Sequence, residues 1–460
     1  MELEKGTAAI QQQNKPIFTN HQLITLLWPL IIEQALEVLV GMADTMMVSS
    51  AGEAAISGVS LVDMINQLII TIFGALATGG AVVTSQYLGA KKPEAAARSA
   101  GQLVTLSAIL GCAIAAVCLV GRTFLLRLFF GSITDDVMHA ALIYFTITAL
   151  SFPFLALYNA GAAIFRSTGN STVSMKVSVI VNVINFCGNA LCVYGLKMGV
   201  AGVAVPTLVS RAAGALIILT LAARPDYRLR ITSRTVTRLE GGTVKSILAI
   251  GIPSACENSL FQLGRVLVVS MISLFGTVHI SANAVANNLD SVGCIIGNAM
   301  CLGMITVVGR CIGAQDFDQA IRYTKKLLRW DYVAQGLTNA AVLLLLNPLL
   351  SLYTLSPETA KLSAELVWIH CGLGILLWPL AFVLPNALRA ANDVKFTMIV
   401  SVVSMVVWRL AFSQILCVQL GWGALGVWWA MIIDWVCRLL CFVIRFQSGA
   451  WKKHAAKTPA

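Results

Sequence analysis

Residues 79–98 read GGAVVTSQYLGAKKPEAAAR and residues 303–322 read GMITVVGRCIGAQDFDQAIR. Aligned at an offset of 224 positions, they match Gly79 with Gly303, Val83 with Val307, Gly89-Ala90 with Gly313-Ala314, Ala96 with Ala320 and Arg98 with Arg322. The same offset extends in both directions. It pairs Pro29 with Pro253, Glu33 with Glu257, Gly52 with Gly276, Ile56-Ser57 with Ile280-Ser281, Gly199 with Gly423 and Gly202 with Gly426, and a slip of one position pairs Arg166 with Arg389. Coincident Ala, Gly and Leu are common in apolar helices. One offset held from Pro29 to Gly202, and including Pro, Glu and Arg, marks an internal duplication.

Each copy is made of apolar runs long enough to cross a bilayer. Of the 460 residues, 58% are hydrophobic and 12% charged, against roughly 45–50% and about 25% in a soluble domain. The mean hydropathy is +0.81. Apolar runs lie near 23–49, 57–88, 99–121, 137–158, 172–194 and 200–223, then 245–275, 280–312, 328–349, 364–388, 396–420 and 424–446. Twelve helices of about 20 residues each fit this length, and backbone in hydrocarbon must bond internally, which requires helices where no barrel alternation is present. The expected fold is an all-α integral membrane protein of twelve transmembrane helices, in two six-helix lobes related by a parallel repeat. The expected boundaries are an N-terminal tail 1–22, an N-lobe 23–223, a linker 224–244, a C-lobe 245–446 and a C-terminal tail 447–460. An even number of helices per half gives both halves one orientation, a device of transporters whose lobes rock about a central cavity.

The net charge of +11 acquires its meaning from position. The tails and even-numbered loops hold 24 of the 32 Lys and Arg, whereas the odd-numbered loops hold only Arg122, Arg127, Lys197 and Lys361. By the positive-inside rule both termini face the cytoplasm, and a multi-pass protein of the plasma (inner) membrane is expected. Charge spread over every cytoplasmic loop, rather than gathered in one stripe, argues against a nucleic-acid partner and suits contact with membrane lipids. The first apolar run is too long for a signal peptide and lacks a small-residue cleavage site. The twelve Cys fall in apolar segments without metal-ligand spacing and read as reduced core residues. No GxxxxGK[ST] phosphate loop and no HExxH occurs, and the five His are widely spaced. Neither an ATP-driven pump, an enzyme, a cofactor nor a structural metal is expected.

Ionisable groups at bilayer depth are costly and tend to be functional. Glu33, Glu37 and Asp44 lie within about 40° of one another on a helical wheel, so they share one face of helix 1. Glu33 has a duplicate, Glu257, but Asp44 is matched by Val268. In helix 5, Asn182, Asn185 and Asn189 form one face with Ser178, while the second copy has Met405, Trp408 and Phe412 there. Asp44 and the Asn stripe are therefore departures from the repeat confined to one lobe, as an asymmetric ion site requires, although an Asn stripe also serves as interhelical glue. Asp63, Asp290, Asp434, Arg211, Arg265 and Arg409 are further intramembrane candidates. Asp434 and Arg438, one turn apart, are expected to pair.

Several segments together resemble the multidrug and toxic compound extrusion (MATE) family over residues 20–446. They are Asp44-Thr45-Met46-Met47-Val48, Gln86-Tyr87-Leu88-Gly89-Ala90, the loops Arg166-Ser167-Thr168-Gly169-Asn170 and Arg389-Ala390-Ala391-Asn392-Asp393, and Gly199-Val200-Ala201-Gly202. The resemblance implies a monomeric antiporter that exports small organic, mostly cationic compounds in exchange for Na⁺ or H⁺. It implies a coupling site of Asp44, Asn185, Asn189 and Thr207, with any Na⁺ bound at Asp44. Asn189 is neutral where many relatives have Asp, Asn283-Ala284 stands where many have His-Gln, and Trp378-Pro379 occupies the region of a helix 10 aspartate found in one subgroup. Glu33, Glu37, Glu257, Asn182, Asn283 and Asp290 remain candidates for substrate contact or gating. Arg211, Arg265 and Arg409 keep open a flippase of lipid-linked precursors or polysaccharides, which would need a cationic cavity. A passive channel or a membrane transferase gives no reason for duplicated lobes.

Overall fold

The computed structural model describes residues 16–49, 52–131, 134–225, 227, 229–232, 235–236, 239–353 and 355–456. Outside them lie most of the N-terminal tail with Lys5 and Lys15, the linker residues Arg228, Arg234 and Arg238, and Lys457; the side chains of Thr45 and Met46 are likewise outside the description. The first six helices are α1 (Asn20–Ser49), α2 (Glu53–Gly89), α3 (Pro93–Phe130), α4 (Asp135–Ser167), α5 (Ser171–Ala190) and α6 (Ala201–Ala222). The second six are α7 (Gly241–Ser273), α8 (Thr277–Gly293 continued by Ile295–Gly313), α9 (Phe317–Leu344), α10 (Pro357–Trp378 continued to Ala390), α11 (Val394–Ser404 continued to Gln419) and α12 (Ala424–Gln447).

Ten of these are long and apolar enough to cross a membrane on those criteria alone. The remaining two, α7 and α9, carry polar groups turned inward. On α7, Glu257 and Asn258 line a central cavity, and on α9, Asp331, Gln335 and Asn339 at successive turns are all buried. Polar groups shielded inside a bundle reduce the hydropathy of a span without exposing charge to lipid. Outward, large apolar side chains such as Val120, Leu344 and Ile444 are exposed, a surface suited to acyl chains rather than water.

The duplication is visible in the backbone. Left-handed positions occur in repeat-related pairs, Gly52 with Gly276, Lys91 with Gln315, Gly169 with Asn392, Lys197 with Gly421 and Gly199 with Gly423. At Gly199 and Gly423, φ is 58° and 57°, a conformation that costs little only without a Cβ, just before α6 and α12. Helix α5 ends in a π-type turn at Leu191–Gly195 and α11 in one at Gln414–Gln419. The packing follows the same rule: α1 on α5 is matched by α7 on α11, α2 on α4 by α8 on α10, and α4 on α6 by α10 on α12.

Between the lobes the contacts are reciprocal. Gln86 at the end of α2 donates its Nε2 to the Ala390 carbonyl, 2.9 Å, and to Asn392 Oδ1, 3.0 Å. Its repeat partner Arg310 at the end of α8 donates to the Ser167 carbonyl, 2.9 Å. The same two helix ends approach so closely that a Cβ on Gly89 would stand 2.8 Å from the Arg310 carbonyl carbon, and one on Gly313 would stand 2.6 Å from that of Gln86. Phe18, ahead of α1, joins this face through the Tyr323 hydroxyl, which donates to the Phe18 carbonyl at 2.7 Å. The face that carries Phe18 and Trp451, near the first and last described residues, is thus sealed by a pair of equivalent contacts.

Candidate functional site

Two ion pairs built by the duplication flank the centre of the molecule. Arg166 at the end of α4 reaches Glu33 of α1 at 3.2 Å, and Arg389 of α10 reaches Glu257 of α7 at 2.6 Å. Ser174 of α5 also donates to Glu33, 3.0 Å. Each pair ties the Pro-containing first helix of its lobe to the fourth. Both carboxylates are 7% exposed, so each neutralises a cation that would otherwise be desolvated alone.

Between the lobes lies a cavity of about 880 Å³, to which Glu33, Glu37, Asp44, Glu257, Trp378 and Met405 all contribute. Its N-lobe wall carries a connected polar row. Asn189 Nδ2 donates to Asp44 Oδ1 at 2.7 Å and to Asn185 Oδ1 at 3.2 Å, and Asn185 Nδ2 donates to Thr207 Oγ1 at 3.1 Å. The row arises because positions four apart on α5 stack on one face, opposite Asp44 of α1 and Thr207 of α6. Asn189 is fully buried, and among the described residues its Oδ1 has no hydrogen-bond partner. A buried acceptor without a donor is unusual, and this one lies beside a carboxylate.

The remaining sequence candidates divide by location. Glu37, which accepts from Gln34 at 3.1 Å, and Asn182 line the cavity with Asp44, Asn185 and Thr207, behind which Asn189 is buried. Asn283 and Asp290 do not: Asn283 accepts from the Trp428 indole at 2.9 Å inside the C-lobe, and Asp290 lies 2.5 Å from His370 Nδ1. Asp434 and Arg438 pair at 2.8 Å as expected. Arg265 is exposed on α7 and not buried, one turn beyond Phe261, which lines the cavity.

Asp63 and Arg211, both among the intramembrane candidates, line the cavity on the same side as Asp44, and Asp63 is held by Asn66 at 3.2 Å and the Tyr144 hydroxyl at 3.1 Å. Asp63 belongs to a polar run, Ser60, Asp63, Asn66 and Gln67, on an otherwise apolar helix. One feature was missed: Asp290, Cys294 and His370 converge, where wide sequence spacing suggested no Cys/His cluster. Only the packing of α8 on α10 brings them together.

The MatE family model matches the chain twice, over residues 29–191 and 253–415. The chain belongs to the multidrug and toxic compound extrusion (MatE) family. The two matches begin on Pro29 and Pro253, the prolines aligned by the repeat. Among its relatives are the uncharacterized transporter YisQ of Bacillus subtilis, 29% identical over 446 residues covering 95% of this chain and 96% of that one, and a probable multidrug resistance protein NorM of Thermotoga maritima, 25% identical with 95% and 94% covered. Solved structures share the fold. A MATE family transporter in an outward-facing conformation superposes with a TM-score of 0.87 at 21% identity, covering 94% of this chain and 96% of that one. A Pyrococcus furiosus transporter of the MOP superfamily, described as having a binding pocket of reverse polarity, gives 0.86 at the same identity and coverage. Family membership makes this a multi-pass membrane transporter rather than an enzyme.

Proposed function

We propose that this chain is a secondary active antiporter that exports organic, mostly cationic compounds in exchange for Na⁺ or H⁺, working as a monomer in the plasma membrane with both termini in the cytoplasm. The observation that carries this reading is the charge left over in the cavity. Its ionisable lining consists of Glu33, Glu37, Asp44, Asp63 and Glu257 against Arg166, Arg211, Arg389 and Arg438. Three of the arginines are engaged by acids, Arg166 by Glu33, Arg389 by Glu257 and Arg438 by Asp434. Glu37, Asp44 and Asp63 then face Arg211 alone. A cavity with surplus carboxylate attracts cations and disfavours the anionic headgroup of a lipid-linked precursor, which sets the antiporter above the flippase.

Asp44, Asn185, Asn189 and Thr207 form the coupling site in this scheme. Their oxygens suit a hard cation such as Na⁺, the Oδ1 of Asn189, without a donor among the described residues, being an available lone pair, and a proton on Asp44 would discharge the same carboxylate. Coupling requires the ion and the drug to bind the two lobe arrangements with different affinities, because a ligand equal for both shifts nothing. The two lobes, hinged by the linker 224–244, rock about the cavity between them.

The test is accumulation of a fluorescent organic cation in proteoliposomes under an imposed Na⁺ gradient and, separately, under a pH gradient. One of the two is expected to drive transport above protein-free vesicles. Silence under both refutes the antiporter, and gradient-independent movement of an anionic lipid analogue would favour the flippase.

A further inference from the structure

We propose that Asp290, Cys294 and His370 form a transition-metal site inside the C-lobe that takes a borderline divalent ion of the Zn²⁺ class. Asp290 and Cys294 are one turn apart at the break in α8, and His370 meets them from α10. Asp290 Oδ1 lies 2.5 Å from His370 Nδ1 and 3.5 Å from Cys294 Sγ, and the three ligand atoms all lie within 4.8 Å of one another. One oxygen, one sulfur and one imidazole nitrogen is a donor set that selects a borderline metal over Na⁺, Ca²⁺ or Mg²⁺.

Geometry and charge agree with that choice. Bond lengths of about 2.0–2.3 Å place the ligand atoms of a tetrahedral ion roughly 3.3–3.7 Å apart. The Cys294–Asp290 separation already fits, and the 2.5 Å Asp290–His370 contact opens by about 1 Å to admit the metal. Binding breaks the Cys294 S–H bond, forms the metal–sulfur bond and releases the proton to solvent, to which Asp290 is 22% exposed. The carboxylate and thiolate together cancel the charge of a divalent ion, so a neutral cluster remains in the lobe.

The surroundings fix the ligands and offer a further acceptor. His370 is 3% exposed, and the rings of Trp435 and Trp428 stand nearly perpendicular to it, with centroids at 4.8 and 5.8 Å. Asn339 of α9 packs against Gly293, the neighbour of Cys294, and among the described residues its buried Oδ1 has no donor. A water in the fourth position would supply one. In the repeat Asp290 is matched by Asn66, so the site belongs to the C-lobe alone. It lies outside the central cavity and does not depend on the antiporter reading.

Cobalt titration of the purified, tag-free protein in detergent tests this. One equivalent of Co²⁺ is expected to give a near-ultraviolet sulfur-to-cobalt charge-transfer band with the intense visible bands of a tetrahedral site, displaced by Zn²⁺. Cys294→Ser should abolish the charge-transfer band, and His370→Gln should weaken affinity at least tenfold. Cys371→Ser, which removes the adjacent thiol, should keep the full spectrum and serves as the control for folding, alongside monodispersity of each variant. No thiolate band in the wild type, or a band that survives both Cys294→Ser and His370→Gln, overturns the site.

Discussion

Asn189 holds Asp44 through its amide nitrogen and, among the described residues, leaves its own oxygen unengaged, so one side chain both orients the carboxylate and offers a second ligand. Asn189→Leu removes both. A hydrogen bond to a charged group contributes about 1.5–3 kcal/mol, so the ion concentration giving half-maximal transport should rise roughly tenfold to a hundredfold, whereas Thr207→Val, one bond further out, should shift it less. An unchanged ion dependence in Asn189→Leu would detach the row from coupling. Glu33 and Glu257 call for a different measurement, because they neutralise Arg166 and Arg389. Glu33→Ala alone should destabilise the protein by about 3–5 kcal/mol, and the Glu33→Ala/Arg166→Ala double variant by clearly less. Additive losses in thermal denaturation would show that the pair is not coupled. Glu33, Glu37 and Asp44 were legible as one face because a helix repeats every 3.6 residues and polar positions stand out against an apolar background. That Arg166 engages Glu33 was not, since the two are 133 positions apart and only the tertiary fold brings the end of α4 to α1.

At the scale of elements, the crossing of α2 and α8 is the seal between lobes on the face that carries Phe18 and Trp451. Gly89 and Gly313 allow the backbones to touch, and Gln86 and Arg310 clasp the opposite lobe. Gly313→Val places two methyl groups where the Gln86 carbonyl stands and should separate the helix ends, at a cost of about 1–3 kcal/mol from overpacking. A cysteine introduced at Ser246, beside this seam, should then react faster with a water-soluble thiol reagent. Unchanged labelling would mean that the crossing does not control access. The duplication made the equivalence of Gly89 and Gly313 readable from sequence. Their mutual contact was not, because an offset says which residues are equivalent but not which equivalents meet across the pseudo-twofold axis. The twelve spans were readable throughout, yet α7 and α9 show why hydropathy alone finds ten: their inward faces are polar and the bundle hides them.

For the whole molecule, the uneven distribution of Lys and Arg predicts that a fluorescent reporter fused to the C-terminus folds in the cytoplasm. Protection of that reporter from cytoplasmic protease, with exposure to protease added outside, would invert the topology. The cavity between the lobes joins this topology to the central claim, that a cation at Asp44 exchanges with a cationic compound. The most direct measurement compares wild-type and Asp44→Asn proteins, reconstituted at equal density, for gradient-driven accumulation of a fluorescent organic cation. The account predicts accumulation at the protein-free level for Asp44→Asn, with the variant still monodisperse and still binding the compound. Accumulation at the wild-type rate in that variant would contradict it.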